Sequence, residues 1–153
     1  MVDALLLATA VACGLNGGVF FAFSTFVMAG LGRLRPAEGV RAMQAVNLTA
    51  VTPAFMTLFL GTAALSVATG AWAVLHGEGV ALAGALVQLV GGLGVTAAVN
   101  VPLNNRLATL DSDEAGAAKS WDAYRSRWVR WNHLRTAAGA LACGLLVVAL
   151  VQR

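Results

Sequence analysis

Charge is scarce in this sequence. Asp, Glu, Lys and Arg make up 11% of its 153 residues, where an ordinary soluble domain carries about 25%. A solvated globular surface cannot be built from so few, and a soluble fold is excluded. Histidine and cysteine are equally sparse. The two histidines, His76 and His133, fall in different segments, and the two cysteines, Cys13 and Cys143, form no CxxC. Both thiols sit inside apolar runs, where small buried cysteines usually pack and do no chemistry. No three nitrogen, sulfur or carboxylate ligands can be gathered at one depth, so no metal site is assigned. Heme would have His133 alone as an axial ligand at the inner end. A glycine-rich phosphate loop, a nucleophile elbow and paired carboxylates are also missing, which removes the basis for nucleotide or hydrolase chemistry.

Apolar residue is abundant instead: 59% of the chain is hydrophobic and the mean hydropathy is +0.77. Apolar runs of about 20 residues recur, each long enough to cross a bilayer. They predict an all-α integral membrane four-helix bundle forming one domain over 1–153, with spans at 4–30, 48–75, 79–104 and 128–151. Spanning strands would be half as long and would alternate in polarity. Asp3 stands where a cleavable signal has basic residues, and the apolar run continues past Cys13, so the first segment reads as a retained span.

The net charge of +3 and pI near 9.5 do not imply nucleic acid, because the basic residues flank the apolar runs. Arg33, Arg35 and Arg41 lie in the first connection, with Pro36 placed to open a short helix. Arg106, Lys119, Arg125 and Arg127 lie in or beside the third, whose DSDEAGAAKSW can cap the helix leading into span four. The second, around His76-Gly77-Glu78, is a tight turn without Lys or Arg. By the positive-inside rule the basic loops face the cytoplasm and both termini lie outside, in a multi-pass protein of the cell's inner or plasma membrane.

Polar residues inside the spans fall in stripes. On a helix, Trp121, Tyr124, Arg125, Trp128, Trp131, Asn132 and Arg135 share an arc of roughly 120°, while Leu134, Leu141, Arg127 and Arg130 lie opposite. Arg127 and Arg130 can snorkel to headgroups. Arg135 is about two turns deeper, and no acidic residue within the spans can neutralise it. The tryptophans suit an interfacial belt as well as a pocket wall. His133 lies about 140° from Trp128, off the stripe, where it can face a neighbouring helix. In span three Thr96, Asn100 and Asn104 follow a spacing of four, extended by Gln88 and Gly92. Interhelical hydrogen bonding accounts for them in the simplest way. Span one offers Asn16, Phe20, Phe23 and Ser24 on one face, with Gly14 and Gly18 as a small-xxx-small contact, and Gln44 and Asn47 precede span two. Together these groups can bind a flat, apolar, weakly acidic molecule, remove its proton and stabilise the anion.

Four motifs then carry a resemblance. FFAFSTFVMAGLGRL (20–34), GVRAMQAVN (39–47), NVPLNNRLA (100–108) and WDAYRSRWVRWNHLR (121–135) together resemble the anthrone-oxygenase-like integral membrane family, in the family's order and across nearly the whole chain. The resemblance implies a small four-span oxygenase that oxidises an anthrone- or quinol-like aromatic with O2 as co-substrate and no cofactor. Carried onto this chain, it makes His133 the proton acceptor, with Arg135 and Asn132 stabilising the anion. Trp128 and Trp131 become stacking walls, and Asn100, Asn104, Asn47, Gln44, Ser24 and Tyr124 contact the substrate. Two other classes stay open: a quinone- or lipid-binding carrier or accessory subunit of a larger membrane complex, and a metal- or heme-dependent oxidoreductase, in which a homo-oligomer pools two His133 side chains.

Overall fold

The computed structural model describes residues 1–153 and contains no strand. Four helices are long and apolar enough to cross a membrane: α1 (Val2–Leu31), α3 (Pro53–His76), α4 (Gly79–Ala108) and α5 (Ala117–Val151). A shorter α2 (Pro36–Thr49) fills the first connection. The chain is a membrane protein on these lengths and compositions.

Local chemistry sets the helix ends. Pro36 and Pro53 open α2 and α3, where their missing N–H costs nothing. Gly77, with φ of 72°, ends α3 in the left-handed conformation and lets the chain re-enter as α4 at Gly79. The third connection differs from the capping expected of it. No Asp or Ser side chain caps α5; the helix starts after Gly116, whose φ is 102°. From there it runs unbroken for 35 residues, so Trp121 and Arg135 belong to one continuous rod.

The bundle closes around α1 and α5, which pack along most of their length. Their crossing is Gly17 against Gly139: a Cβ on Gly139 would lie 2.7 Å from the Gly17 Cα. The small-residue contact expected of Gly14 and Gly18 is thereby corrected. Gly14 faces the Cys143 thiol, and Gly18 has nothing near it. Between the helices lie two apolar clusters. One, including Leu6, Ala10, Ala81 and Leu146, fills the end holding the termini. The other, including Met28, Val40, Met43, Leu103, Trp121 and Trp128, fills the end holding the basic connections, called here the basic end. Leu7, Val11, Val67, Val90, Leu134 and Leu141 project outward and exposed, the apolar coat that a bilayer covers.

α2 is fastened across the basic end. Its own Val40 and Met43 are buried against the bundle, and Gly39 lies so close to the Trp121 indole that a Cβ would come within 2.8 Å. Gln44 Nε2 donates to the Leu107 and Leu110 carbonyls at 2.8 and 3.0 Å, and Arg41 pairs with Asp113. At the opposite end Arg153 bridges Asp3 and Glu78 and lies over the Trp72 ring.

One feature departs from regular α-helix. α1 widens into a π turn over Phe23–Val27, and α4 does so twice, over Gln88–Gly94 and Thr96–Asn100. A strict spacing of four residues drifts by about 40° per step on an α-helix. The wider turns counter that drift, which keeps Gln88, Gly92 and Asn100 buried and Thr96 and Asn104 facing inward.

Candidate functional site

A cavity of about 490 Å³ opens near the basic end, within the size range of small-molecule sites. α1 supplies Val19, Phe20 and Phe23, and α2 supplies Met43, Val46 and Asn47. The α2–α3 junction and the start of α3 add Val51, Phe55, Met56 and Phe59; α4 adds Thr96, Val101 and Asn104, and α5 adds Trp128 and Arg135. The lining is mainly hydrophobic, with a few convergent polar groups.

Arg135 is the only charged lining residue, and it is 5% exposed. Its Nη1 donates to Thr96 Oγ1 at 3.0 Å and its Nη2 to Asn132 Oδ1, while Nε has no partner. The guanidinium carbon lies 4.2 Å from the Phe20 ring centre and 5.2 Å from that of Trp128, so aromatic faces flank the cation. No ion pair neutralises it; the five salt bridges of the chain all involve other arginines. An unpaired buried cation carries a desolvation cost of several kcal/mol, on the order of that for any lone buried ion.

The guanidinium is held in place by a second layer. Asn132, fully buried, donates from Nδ2 to the Phe20 carbonyl at 2.6 Å and to Ser24 Oγ at 2.7 Å, leaving its Oδ1 for Arg135. Phe20 lies just before the π turn of α1, and its carbonyl also accepts from the Phe23 backbone N–H. Asn104 Oδ1 accepts from both Tyr124 Oη and Trp128 Nε1 at 2.9 Å, fixing the indole against the cavity. Asn47 lines the cavity with its Nδ2 unpartnered.

The residues singled out from sequence are thus sorted by position. Arg135, Trp128, Asn104 and Asn47 line the cavity. Asn132, Ser24 and Tyr124 stand behind and orient those that do. Asn100 is buried, bonded weakly to the Trp128 carbonyl at 3.4 Å with its Oδ1 free. Gln44 is spent on the backbone at the end of α4 and the start of the third connection. Trp131 is half-buried outside the lining. His133 is exposed, one position beyond buried Asn132, and does not touch the cavity. The helix turns it about 100° away, so the placement needed for a proton acceptor inside the pocket is absent. Phe55, Met56 and Phe59 are lining residues that sequence reasoning missed. Their pattern, an apolar i, i+4 pair in an apolar span, is the same as that of lipid-facing residues. No group of three His, Cys, Asp or Glu side chains converges in the bundle.

A four-span membrane bundle with an aromatic, singly cationic cavity is the class of protein that fold and site define. Its family follows from comparison: the anthrone oxygenase family model matches residues 43–145, about two-thirds of the chain and four of the five cavity-forming segments. The chain belongs to the anthrone oxygenase family, which gives it a general oxygenase-like function. Comparison with curated proteins and with solved structures finds no match.

Proposed function

We propose that the protein oxidises a flat, apolar, weakly acidic aromatic, of anthrone or quinol type, with O2 in the cavity beside Arg135. The observation that carries this reading is the buried guanidinium, unpaired by any carboxylate, set among Phe20, Phe23 and Trp128. An apolar ring system fills the aromatic walls, and its oxyanion or enolate supplies the missing negative charge. For an anthrone, loss of one proton gives an electron-rich anion that O2 can attack directly. The methylene carbon then gives up both hydrogens and takes one oxygen atom, and the other oxygen leaves as water. The cavity side chains hold the ring, and Arg135 and Asn47 stabilise the anion. Because no imidazole or carboxylate lines the cavity, the proton passes to water at the cavity mouth and not to His133. Protein-bound metal or heme has no assigned role in this scheme.

The basic connections face the cytoplasm in this reading, following the positive-inside rule, and the cavity lies toward the cytoplasmic side of the bilayer, where interfacial water and an apolar substrate from the inner leaflet both reach it. Purified protein in detergent tests it. Oxygen uptake with an anthrone, unaffected by chelators and lost in Arg135→Met, is expected, with one 18O atom from labelled O2 in the quinone product. A second reading, binding of a quinone or lipid without turnover, is favoured by the lack of a lining base; tight binding with no oxygen uptake selects it.

A further inference from the structure

The cavity beside Arg135 is closed at one end and open at the other. Its floor is made by Phe20, Met43, Trp128 and Arg135, none more than 5% exposed. Of the residues lining it, only Thr49, Val51 and Val101 are exposed, so the mouth lies between the α2–α3 junction and α4. Helix packing accounts for this opening. α3 and α4, joined by the turn at Gly77, meet closely toward the end holding the termini, where a Cβ on Gly70 would lie 3.5 Å from that of Ala85. α3 packs on α4 along Gly79–Gly94, with little packing from Thr96 onward. The two helices thus part toward the basic end, and Phe55, Met56 and Phe59 stand across a cleft from Thr96, Val101 and Asn104.

No charged residue borders the mouth. Val51 and Val101 are 70% and 43% exposed, and Leu48 and Leu60, beside lining residues in the chain, are exposed as well. In a spanning bundle such surface faces hydrocarbon. The Thr49 hydroxyl is already donated to the Ala45 and Val46 carbonyls of its own helix, at 3.0 and 3.1 Å, so the rim holds no free donor for a polar group. The cation lies deeper. Thr96, whose Oγ1 accepts from Arg135, precedes Val101 by about 7.5 Å of helix rise. A guest therefore enters with its acidic end leading, toward an unpaired guanidinium, and its trailing end rests against apolar side chains and lipid. We propose that the substrate is a membrane-dissolved amphiphile: its acidic ring fills the cavity at Arg135, and a long alkyl or isoprenoid substituent runs out through the α3–α4 cleft into the bilayer. The inference rests on the reading of the site given above, and it narrows the substrate to ring-bearing lipids, as opposed to compact water-soluble aromatics.

Photolabelling of the full chain in lipid nanodiscs tests this, with a naphthol carrying a long alkyl chain that ends in a diazirine. Expected is labelling of residues 51–60 and of the turn around Val101 several-fold above that of Leu7, Leu134 and Leu141, which are exposed elsewhere on the apolar coat. Excess unsubstituted naphthol should suppress it, and Arg135→Met should abolish it. Uniform labelling of the coat overturns the proposal. So does cleft labelling that excess naphthol leaves in place, which assigns the cleft to ordinary lipid. Val101→Trp, which narrows the mouth, should weaken binding of the alkyl naphthol several-fold and leave the unsubstituted compound bound as in wild type; Val67→Trp, on an exposed position of α3 outside the lining, is the control. Equal binding of the alkyl probe by both variants also overturns it. The naphtholate absorbance of the unsubstituted compound separates this inference from the reading beneath it. If the wild-type chain holds that compound as its anion and Arg135→Met does not, while the alkyl chain labels the coat uniformly, only the tail and its cleft are wrong; if neither naphthol binds as an anion, both fail.

Discussion

Arg135→Met removes the charge at the centre of the site while keeping a long unbranched side chain. Without ligand the change has two opposing effects. The desolvation cost of the unpaired guanidinium disappears, but Asn132 Oδ1 loses its donor, a cost of about 1–3 kcal/mol. The net effect on stability is expected to be within about 2 kcal/mol of zero. The effect on reaction is larger. A cation about 4 Å from a developing oxyanion, at an effective dielectric near 20, contributes about 4 kcal/mol, equal to about three pK units of the bound substrate. At neutral pH, kcat/KM should therefore fall by about 10²–10³. The loss should shrink as pH rises, because the substrate then deprotonates without help. Oxygen-electrode assays of both proteins from pH 6 to 10, with thermal unfolding alongside, measure both effects. A variant that folds and turns over like wild type at neutral pH, with an unchanged pH profile, refutes the role given to Arg135.

Other outcomes follow from the same geometry. His133→Ala should leave turnover unchanged and stability within about 0.5 kcal/mol, because the imidazole is exposed and outside the cavity; lost oxygen uptake would return the proton transfer to it. Asn132→Leu should lower stability by about 1–3 kcal/mol and turnover with it, since one amide holds Phe20, Ser24 and Arg135 together; thermal unfolding and kinetics read both. Gly139→Val should prevent assembly of α1 against α5, seen as loss of the folded species by size exclusion, because even a Cβ would lie 2.7 Å from the Gly17 Cα. The Arg35 side chain, hydrogen-bonded to Glu38, holds that carboxyl below its ordinary value. Its contribution to the start of α2 is thus present above the ordinary carboxylate range and lost as pH falls through the lowered value, which hydrogen exchange in α2 should show as faster exchange in acid.

Much of this molecule was legible in its sequence because a bilayer leaves few alternatives. Four apolar runs could only be helices, and the stripe from Trp121 to Arg135 faces inward as its periodicity requires. Arg135 stood out because a lone cation deep in a span has to face a partner or a cavity. The π turns were not legible from an α-helical wheel, although the spacing of Gln88, Gly92, Thr96, Asn100 and Asn104 and the nearby glycines carried their trace. Sequence could not choose between the faces of α1, and so selected Gly14 and Gly18 where Gly17 makes the contact. It could not separate the cavity-lining phenylalanines of α3 from lipid-facing ones, since both surroundings are apolar. His133, about 140° from Trp128 at the centre of the stripe, has its expected role from resemblance alone, and the helix turns it outward.

Spectroscopic titration of a bound anthrone or comparable phenol, whose anion and neutral forms absorb differently, is the most direct test of the central claim. The account predicts that the wild-type protein binds it as the anion at neutral pH, with its pKa lowered by about three units, and that Arg135→Met binds it neutral. Binding in the neutral form by both proteins, or an equal shift in both, would contradict it.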